Sequence, residues 1–323
     1  MEENSEEVLP ACVIGLGPAG IAASLELTAK GIHTMAFELG NIGGQVNTTA
    51  TIDNYPSFSG PAIDLVNKFS ADVDRMVEGG YLKVVYSNVT SLTREGDLFR
   101  VKTRRLSKLF RSVIVASGTR YRPYAIPDPQ MTVKGRGFSR CAICDGPLYK
   151  GQDVMVVGGG EAAFQEAIYL ASICRSVTLI NRRTVFRASI RDVEAFRSLP
   201  NTRIIAPAVT VSCSGSDHLE HVVIKDPNDA GNSTLQTLDV TACFIYIGSV
   251  AATSFVQIDG ALDDRGNMKV DEDMQNIEIP GLFSAGDVID SPLRQVATAV
   301  GFGSVAGISC ARYLEREAKN GRY

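Results

Sequence analysis

The sequence predicts an α/β fold built from two parallel-sheet domains, and two observations support this prediction. Short apolar runs alternate along the chain with stretches of helical periodicity, the pattern of parallel strands covered by helices. A strand, a glycine-rich turn, a helix and a second strand also occur twice in that order, with first glycines at Gly15 and Gly158. At 323 residues the chain has room for two domains of ordinary size.

The first of these segments begins with the apolar run at residues 11–14. The glycine motif Gly15-x-Gly17-x-x-Gly20 follows this run directly. Residues 21–29 then have helical composition, and the next strand, residues 34–37, ends at Glu38. In this pattern the glycines permit a tight turn, close approach of the backbone to a pyrophosphate, and close packing of the helix on the strand. The segment therefore predicts a dinucleotide site, with the phosphates at the helix N-terminus and Glu38 on a ribose.

The second segment has a strand at residues 153–157, then Gly158-x-Gly160-x-x-Ala163 and a strand at 176–180. Its second strand ends at Asn181, Arg182 and Arg183, with Arg187 close behind. Arginines offer permanently charged, forked donors to a 2′-phosphate, so this segment favours NADPH over NADH. The alternative is a solvated basic loop.

The rest of the chain continues the alternation. Strands are predicted at residues 110–115, 203–205, 209–211, 221–224 and 242–247, with a strand and small-residue turn at 280–287 and a last helix at 295–313. The strand at 110–115 leads into Ala116, Ser117 and Gly118, and a proline-rich crossing segment follows at 121–129. A domain boundary is therefore expected near residue 120. These elements complete two Rossmann-like, three-layer domains.

Composition excludes several classes of protein. Hydrophobic residues make up 45% and charged residues 21%, which is ordinary for a folded chain, and the net charge of −4 argues against a nucleic-acid surface. Residues 295–311 carry no charge, but the run is short and rich in glycine and alanine, so we expect a buried helix and no membrane span. The acidic N-terminus lacks the features of a secretion signal, which predicts a cytoplasmic protein.

One cysteine pair stands apart among seven cysteines. Cys141 and Cys144 form a C-x-x-C followed by Asp145, a spacing at which two thiols at a helix start can close a disulfide. A zinc site is disfavoured because His33, His218 and His221 are not placed near the pair. Asp145 is either a proton shuttle for the thiols or an ordinary acid of a first helical turn. The remaining cysteines are expected to be buried, inert thiols: Cys12, Cys174, Cys213, Cys243 and Cys310.

Together these motifs carry a resemblance along nearly the whole chain. They are Gly15 to Gly20, Gly43-Gly-Gln45, Asp53-Asn-Tyr-Pro56, Ala116-Ser-Gly-Thr119, Cys141-Ala-Ile-Cys-Asp-Gly146, Asn181 to Arg187, Gly286-Asp287 and Arg294-Gln-Val-Ala297. In this order the chain resembles the low-molecular-weight thioredoxin reductases, FAD-dependent pyridine nucleotide-disulfide oxidoreductases.

The resemblance implies an FAD domain, residues 1–119 and 248–323, interrupted by an inserted NADPH domain, residues 120–247, in a homodimer. It implies FAD contacts at Gly15, Gly17, Pro18, Ala19, Gly20, Glu38, Gly43, Gly44, Gln45, Asn54, Val85, Ala116, Ser117, Gly118, Gly286, Asp287, Arg294, Gln295, Val296 and Ala297. It implies NADPH contacts at Gly158, Gly160, Glu161, Ala162, Ala163, Asn181, Arg182, Arg183 and Arg187.

The activity implied by the resemblance is thioredoxin-disulfide reduction. Electrons pass from NADPH through FAD to a Cys141–Cys144 disulfide, with Cys144 nearer the flavin, and then to thioredoxin or a thioredoxin-like protein. Asp145 is a candidate catalytic residue beside the two cysteines. The inserted domain is expected to rotate about residues 118–122 and 245–250, because nicotinamide and disulfide cannot occupy the same flavin face together.

Departures from the family pattern keep alternatives open. Asn181 replaces a histidine, Ala162 replaces a serine, Glu161 puts a carboxylate beside the phosphate site, and residues 249–252 differ from the usual tail. One alternative is a relative with another donor or acceptor: ferredoxin, a dithiol, or a second flavin stacked on Tyr121, Tyr124 or Tyr323. Another is a ferredoxin–NADP reductase on the same scaffold, which the cysteine pair disfavours, and a third is a flavin redox sensor without turnover.

Overall fold

A computed structural model describes residues 7–49, 51–122, 124, 136–231, 233–291 and 293–321. It divides into two compact units: unit 1 is Met1–Arg120 with Val250–Tyr323, and unit 2 is Tyr121–Ser249. The sequence predicts these boundaries at 119/120 and 247/248. Most of the predicted crossing segment at 121–129, and Tyr323, lie outside the described residues.

In its described residues, unit 1 combines a large sheet with three α-helices. Its strands and helices are β1 (Val8–Ile14), α1 (Pro18–Ala29), β2 (Thr34–Glu38), β3 (Thr51–Tyr55), β4 (Phe58–Pro61), α2 (Ala62–Glu78), β5 (Leu82–Tyr86), β6 (Val89–Glu95), β7 (Leu98–Thr103), β8 (Ser107–Val115), β9 (Thr119–Tyr121, shared with unit 2), β18 (Ser249–Ala251, likewise shared), β19 (Leu282–Ser284) and α6 (Val296–Lys319). A short 3₁₀ helix spans Gly44–Thr48.

The sheet of unit 1 has the order β5-β2-β1-β8-β7-β6, with β19 also paired to β8. Strands β5, β2, β1, β8 and β19 are parallel, whereas β6, β7 and β8 form an antiparallel meander. The central strands β1, β2 and β8 are buried along most of their length, as is typical of parallel strands that are covered on both faces. The carboxyl ends of β1, β2 and β8 therefore meet at one edge of the sheet.

Helices α1 and α6 pack closely because small residues line their contact. A Cβ placed on Gly303 would lie 2.2 Å from the Ala19 carbonyl oxygen, and one on Gly307 would lie 2.7 Å from the Ala23 oxygen. The predicted buried helix is confirmed, and it extends further than predicted, to Lys319. In the part of the chain that the structure describes, no helix is long and apolar enough to cross a bilayer.

Unit 2 has a parallel sheet and an antiparallel one. Its elements are β10 (Phe138–Ser139), α3 (Ala142–Asp145), β11 (Asp153–Val157), α4 (Glu161–Ile173), β12 (Ser176–Ile180), α5 (Ile190–Ser198), β13 (Thr202–Ile205), β14 (Val209–Ser214), β15 (His221–Lys225), β16 (Gln236–Asp239) and β17 (Ala242–Ile245). The parallel sheet has the order β10-β17-β11-β12-β13, and β14, β15 and β16 form the antiparallel sheet. The α/β class predicted from the sequence is confirmed.

Candidate active site

The first glycine loop joins β1 to α1 in the way the motif requires. Gly15 has φ +101°, a region that favours glycine, and its N–H donates to the Phe37 carbonyl at 2.8 Å. A Cβ on Gly20 would lie 1.8 Å from the Gly15 oxygen, so only glycine allows the helix to start this close to the strand. The loop therefore holds the start of α1 at the carboxyl edge of the sheet.

The start of α1 is open to an anion. Gly17 is the N-cap residue, and no side chain of the described residues caps it, so the free N–H groups and the positive helix end are left for a ligand. The Gly44 backbone lies close by, since a Cβ on Gly44 would come within 3.1 Å of the Gly17 Cα. A diphosphate fits this cradle because glycine backbone surrounds it.

Glu38 ends β2 beside this loop and is buried. Its Oε2 accepts the Leu16 N–H at 2.6 Å and its Oε1 accepts the Gly40 N–H at 2.8 Å. The carboxylate thus braces the glycine loop, a contact that the sequence did not reveal. Each oxygen keeps a further lone pair, so Glu38 can also accept from the hydroxyls of a ribose.

The other predicted flavin contacts fall on four segments of unit 1. Gln45 donates through Nε2 to the carbonyl and the hydroxyl of Thr119, at 2.9 and 2.7 Å, which ties the 3₁₀ helix to the chain just after Ala116, Ser117 and Gly118. Ser117 donates to the Ala252 carbonyl at 2.9 Å. Asn54 is exposed on β3, and Val85 is half-buried on β5 opposite Phe37.

The start of α6 carries the last group of predicted contacts. Gln295 is its N-cap, and its side chain and that of Thr298 form a capping box. Gly286 has φ +79°, and a Cβ there would lie 2.8 Å from the Ala19 Cβ, so this glycine lets the turn after β19 approach α1. Burial raises the pKa of Asp287, and the Arg294 charge partly offsets this shift.

The second glycine loop, in unit 2, repeats the geometry of the first. The Gly158 N–H donates to the Ile180 carbonyl at 2.9 Å, and a Cβ on Gly158 would lie 2.3 Å from the Tyr246 oxygen. Gly160 is the N-cap of α4, and a Cβ there would meet no heavy atom of the described residues within 4 Å. Ala163 is buried at the third position of the motif, while Glu161 and Ala162 are exposed in the first turn.

Asn181 holds the arginine loop against this glycine loop. Its Nδ2 donates to the Arg183 carbonyl at 2.6 Å, and its side chain covers Gly159, where a Cβ would come within 2.6 Å of the amide group. The Arg187 N–H donates to the Gly159 carbonyl at 2.7 Å. The three guanidinium groups of Arg182, Arg183 and Arg187 belong to exposed residues beside the open end of α4.

A cavity of about 360 Å³ lies next to this loop, and Arg197 and Arg203 help to line it. Neither arginine was predicted from the sequence, because both lie beyond the motif, on α5 and β13.

The cysteine pair forms a disulfide in unit 2. Cys141 and Cys144 are bonded with a Cα–Cα distance of 5.3 Å, and Cys141 is the N-cap of α3, as predicted from the spacing. The Cys144 N–H donates to the Cys141 Sγ at 3.2 Å. Cys144 is exposed and Cys141 is half-buried.

Asp145 is tied to the disulfide through Ser139. The Ser139 hydroxyl donates to Asp145 Oδ2 at 2.8 Å, and the Cys141 N–H donates to the Ser139 oxygen at 3.1 Å. Sequence reasoning missed Ser139, whose position two residues before the first cysteine was the available signal. It also missed Tyr246, whose hydroxyl oxygen accepts the Ala142 N–H at 2.9 Å.

The other five cysteines carry free thiols. Cys12, Cys174, Cys243 and Cys310 are buried as predicted, but the prediction was wrong for Cys213, which is only half-buried because β14 lies in the small antiparallel sheet.

Comparison with known proteins agrees with this arrangement. The family described as "Pyridine nucleotide-disulphide oxidoreductase" matches residues 10–303. A thioredoxin reductase of Mycolicibacterium smegmatis is 32% identical, over 97% of this chain and 99% of that protein. A bifunctional thioredoxin reductase/thioredoxin of Mycobacterium leprae is 33% identical, over 98% of this chain and 67% of that protein. The crystal structure of Lactococcus lactis thioredoxin reductase superposes with a TM-score of 0.88 at 30% identity, covering 95% of this chain and 99% of that one.

The chain therefore belongs to the pyridine nucleotide-disulphide oxidoreductases, enzymes that use FAD and a nicotinamide cofactor. Within them it belongs to the low-molecular-weight thioredoxin reductases, which confirms the resemblance seen in the sequence. It is an oxidoreductase that acts on a sulfur group with FAD and NADPH.

Proposed function

We propose that this chain reduces the disulfide of a thioredoxin or thioredoxin-like protein with electrons from NADPH, through FAD and the Cys141–Cys144 pair. The observation that carries the proposal is the Cys141–Cys144 disulfide at the start of α3, in the same unit as a glycine loop flanked by arginines. The first glycine loop, in unit 1, has the acid Glu38 in the corresponding place.

FAD binds unit 1 in this proposal. Its diphosphate lies at the start of α1 between Gly17 and Gly44, its ribose contacts Glu38, and the start of α6 directs its positive end toward the flavin. The remaining contacts are Gly15, Pro18, Ala19, Gly20, Gly43, Gln45, Asn54, Val85, Ala116, Ser117, Gly118, Gly286, Asp287, Arg294, Gln295, Val296 and Ala297. When bound, FAD accepts a hydride and returns two electrons.

NADPH binds unit 2 in this proposal. The diphosphate lies at the open start of α4, at Gly158, Gly160 and Ala163, and Arg182, Arg183 and Arg187 contact the 2′-phosphate. Asn181 shapes the arginine loop without needing the charge of the family's histidine. Glu161 and Ala162 flank the phosphates, and the carboxylate of Glu161 weakens binding there.

The cysteines perform the sulfur chemistry. Their disulfide takes up two electrons and two protons and becomes two thiols, and Asp145 is placed by Ser139 to pass a proton to or from the pair. One thiolate then attacks the partner's disulfide, and the second resolves the mixed disulfide, so that the partner leaves as a dithiol and the Cys141–Cys144 bond returns.

The partner and the cellular setting follow from the same chemistry. Fusion of the related reductase of M. leprae to thioredoxin supports a thioredoxin-like partner. Five of the seven cysteines are free thiols, which is typical of a protein in the reducing conditions of the cytoplasm. The homodimer implied by the resemblance is tested by sedimentation of the FAD-loaded enzyme.

An anaerobic titration tests the donor. NADPH should bleach the bound flavin at about one equivalent, NADH should do so only at far higher concentration, and a thioredoxin should then be reduced. A Cys144→Ser variant should still bleach with NADPH but fail to reduce thioredoxin.

A ferredoxin donor is the second candidate, favoured by the carboxylate of Glu161 beside the phosphate site. Failure of NADPH to bleach the flavin, with bleaching by reduced ferredoxin, would overturn the NADPH assignment and leave the disulfide chemistry in place. Bleaching of the flavin by a dithiol alone would indicate that electrons flow from the disulfide to the flavin. Absence of turnover with every donor would indicate a redox sensor.

A further inference from the structure

Tyr246 lies behind the redox disulfide, and the reaction described above gives it no part. Its hydroxyl oxygen accepts the N–H of Ala142 at 2.9 Å, and Ala142 is fully buried between the two cysteines. The phenol therefore holds the backbone of the C-x-x-C turn from the side opposite the solvent.

Glu166 is buried on the face of α4 that packs against this turn. Ala163, Ala167 and Leu170 are buried at positions i−3, i+1 and i+4 relative to Glu166, so the four residues share one helix face. Gly146, next to Asp145, meets the same face, since a Cβ there would lie 3.0 Å from Leu170 Cδ2. Glu166 is only 7% exposed, and among the described residues its Oε2 has no hydrogen-bond partner.

Electrostatics couple the two groups. Burial raises the pKa of Tyr246 strongly, and the next largest cause is the charge of Glu166. Burial alone raises the pKa of Glu166 to about 7. The carboxyl of Glu166 therefore changes its charge in the neutral range, and that charge acts on a phenol that is bonded to the redox turn.

Other charged groups face the same phenol and have to be separated from Glu166. Asp145, on α3, and Tyr121 also act on the Tyr246 pKa. The Arg140 guanidinium lies 5.6 Å from the centre of the Tyr121 ring. Tyr149, which follows α3, senses Asp145 as well.

We propose that Glu166, acting through Tyr246, sets how readily the Cys141–Cys144 disulfide is reduced as the pH changes. Reduction breaks the S–S bond with two electrons from a dithiol or from the flavin. It takes up two protons when both thiols form and one when a thiolate remains. A charged Glu166 disfavours the thiolate and so disfavours reduction, whereas a neutral Glu166 does not. The inference rests on the redox role of the disulfide but on neither the donor nor the partner.

The test compares the disulfide equilibrium of the FAD-loaded enzyme with that of its Glu166→Gln variant. Each is equilibrated with mixtures of reduced and oxidised dithiothreitol at pH 6.0 and at pH 8.5, quenched with acid and alkylated. Mass spectrometry of the peptide with both cysteines then gives the reduced fraction. At pH 6.0 the two equilibrium constants should agree, and at pH 8.5 the variant should favour the reduced form by about three- to tenfold.

Control variants separate a charge effect from a structural one. Glu194→Gln, an exposed change on α5, should match the parent enzyme at both pH values, and Glu166→Asp should keep the parent's pH dependence. Asp145→Asn should leave the effect of Glu166→Gln in place. In a Tyr246→Phe background, Glu166→Gln should have a smaller effect than in the parent.

Equal constants for Glu166→Gln and the parent at both pH values would overturn the inference. An effect of the same size at both pH values would also overturn it, because a merely structural role does not follow the charge. If Glu166→Gln unfolds, Tyr246→Phe decides by the same measurement: it should weaken the pH dependence that Glu166→Asp keeps, and an unchanged pH dependence would overturn the inference. Loss of thioredoxin reduction in the parent would refute the proposed partner without touching this result.

Discussion

Single residues at the ends of two parallel strands determine what each glycine loop can hold. Glu38 ends β2, and both of its carboxylate oxygens are bonded to the loop that it closes. Asn181 follows β12 in the equivalent place. Its side-chain amide donates to the Arg183 carbonyl and so stabilises the loop that carries the arginines. A carboxylate suits a ribose diol and repels a phosphate, whereas arginines attract a phosphate. In the proposed assignment, one fold thereby distinguishes two nucleotides.

The arginines provide the first prediction. Replacing Arg182 and Arg183 together by Ala should raise the KM for NADPH at least tenfold and leave the KM for NADH nearly unchanged, because only NADPH has the 2′-phosphate. Steady-state kinetics with both nucleotides measure this. Lys150→Ala, an exposed change in the same unit, is the control. Equal changes for the two nucleotides would contradict the assignment.

Glu166 provides a prediction about stability. The pKa of its carboxyl is raised from 4.5 to about 7 in the folded protein. Below pH 4.5 the group is neutral whether the chain is folded or not. Between these values the unfolded chain loses the proton first, so stability falls as the pH rises through this window. At pH 8 the cost is on the order of 3 kcal/mol.

Glu166→Gln should remove that cost. Its free energy of unfolding in urea, relative to the parent, should increase from pH 5 to pH 8. Glu194→Gln should show no such trend, and a constant difference between Glu166→Gln and the parent would exclude a buried titrating carboxyl.

At the scale of elements, the contact between α1 and α6 depends on Gly303 and Gly307, which face the backbone of α1 directly. A Cβ on Gly303 would meet the Ala19 carbonyl at 2.2 Å, whereas one on Gly301, half a turn away, would meet no described atom within 4 Å. The two positions of one helix thus differ only in what they face. In the proposed function the start of α1 faces the FAD phosphates and the start of α6 faces the flavin, so this contact would position both sites.

Alanine at position 303 and alanine at position 301 should have opposite effects on stability. Gly303→Ala should destabilise the enzyme by 2 kcal/mol or more, an order-of-magnitude expectation for overpacking, and should reduce its FAD content. Gly301→Ala should stabilise it by up to about 1 kcal/mol, because alanine is the better helix former. Thermal unfolding and the ratio of flavin to protein absorbance report both, and equal effects would contradict the packing described above.

Elements with a local pattern could be predicted from the sequence, and those defined by distant partners could not. The two glycine loops, the strands around them and the helix start at Cys141 each combine a motif with its own periodicity. Helix α2 was missed, although Leu65, Val66, Phe69, Val73 and Met76 give it a clear apolar stripe. The hairpin of β6 and β7 was missed because its alternation of apolar and polar residues is short.

Hydrogen bonds between side chains and distant parts of the chain could not be predicted from the sequence. Tyr246 follows β17 in an apolar run, where a tyrosine looks like an ordinary core residue, and only tertiary packing brings its hydroxyl to Ala142. Glu166 did leave a signal, since an acid on the buried face of α4 contradicts the pattern around it. Glu38 was predicted at the end of its strand, but its bonds to the glycine loop were not.

At the scale of the whole molecule, the first and last residues of unit 2 lie close together. The Arg122 N–H donates to the Gly248 carbonyl at 3.0 Å, so the two ends of the unit lie side by side. Its parallel sheet has its own apolar cores on both faces. A segment with adjoining ends and a core of its own has what an independent domain needs.

The isolated segment 121–249 should therefore fold. Expressed alone, it should unfold cooperatively in urea, form the Cys141–Cys144 disulfide and bind NADP⁺ without bound flavin. Circular dichroism and calorimetry measure this, with the Arg182→Ala, Arg183→Ala double variant as the binding control. A segment without a cooperative transition would show that unit 2 needs the rest of the chain.

The burial of four of the five free thiols affects how the enzyme tolerates oxidants and disulfides. Thiolates react and thiols do not, and burial raises the pKa values of Cys12, Cys174, Cys243 and Cys310. Oxidants and partner disulfides that reach the protein therefore meet reactive sulfur chiefly at the pair on α3. The reduced enzyme should thus be labelled fastest by iodoacetamide at Cys141 and Cys144, and buried sulfur elsewhere should survive repeated turnover unmodified.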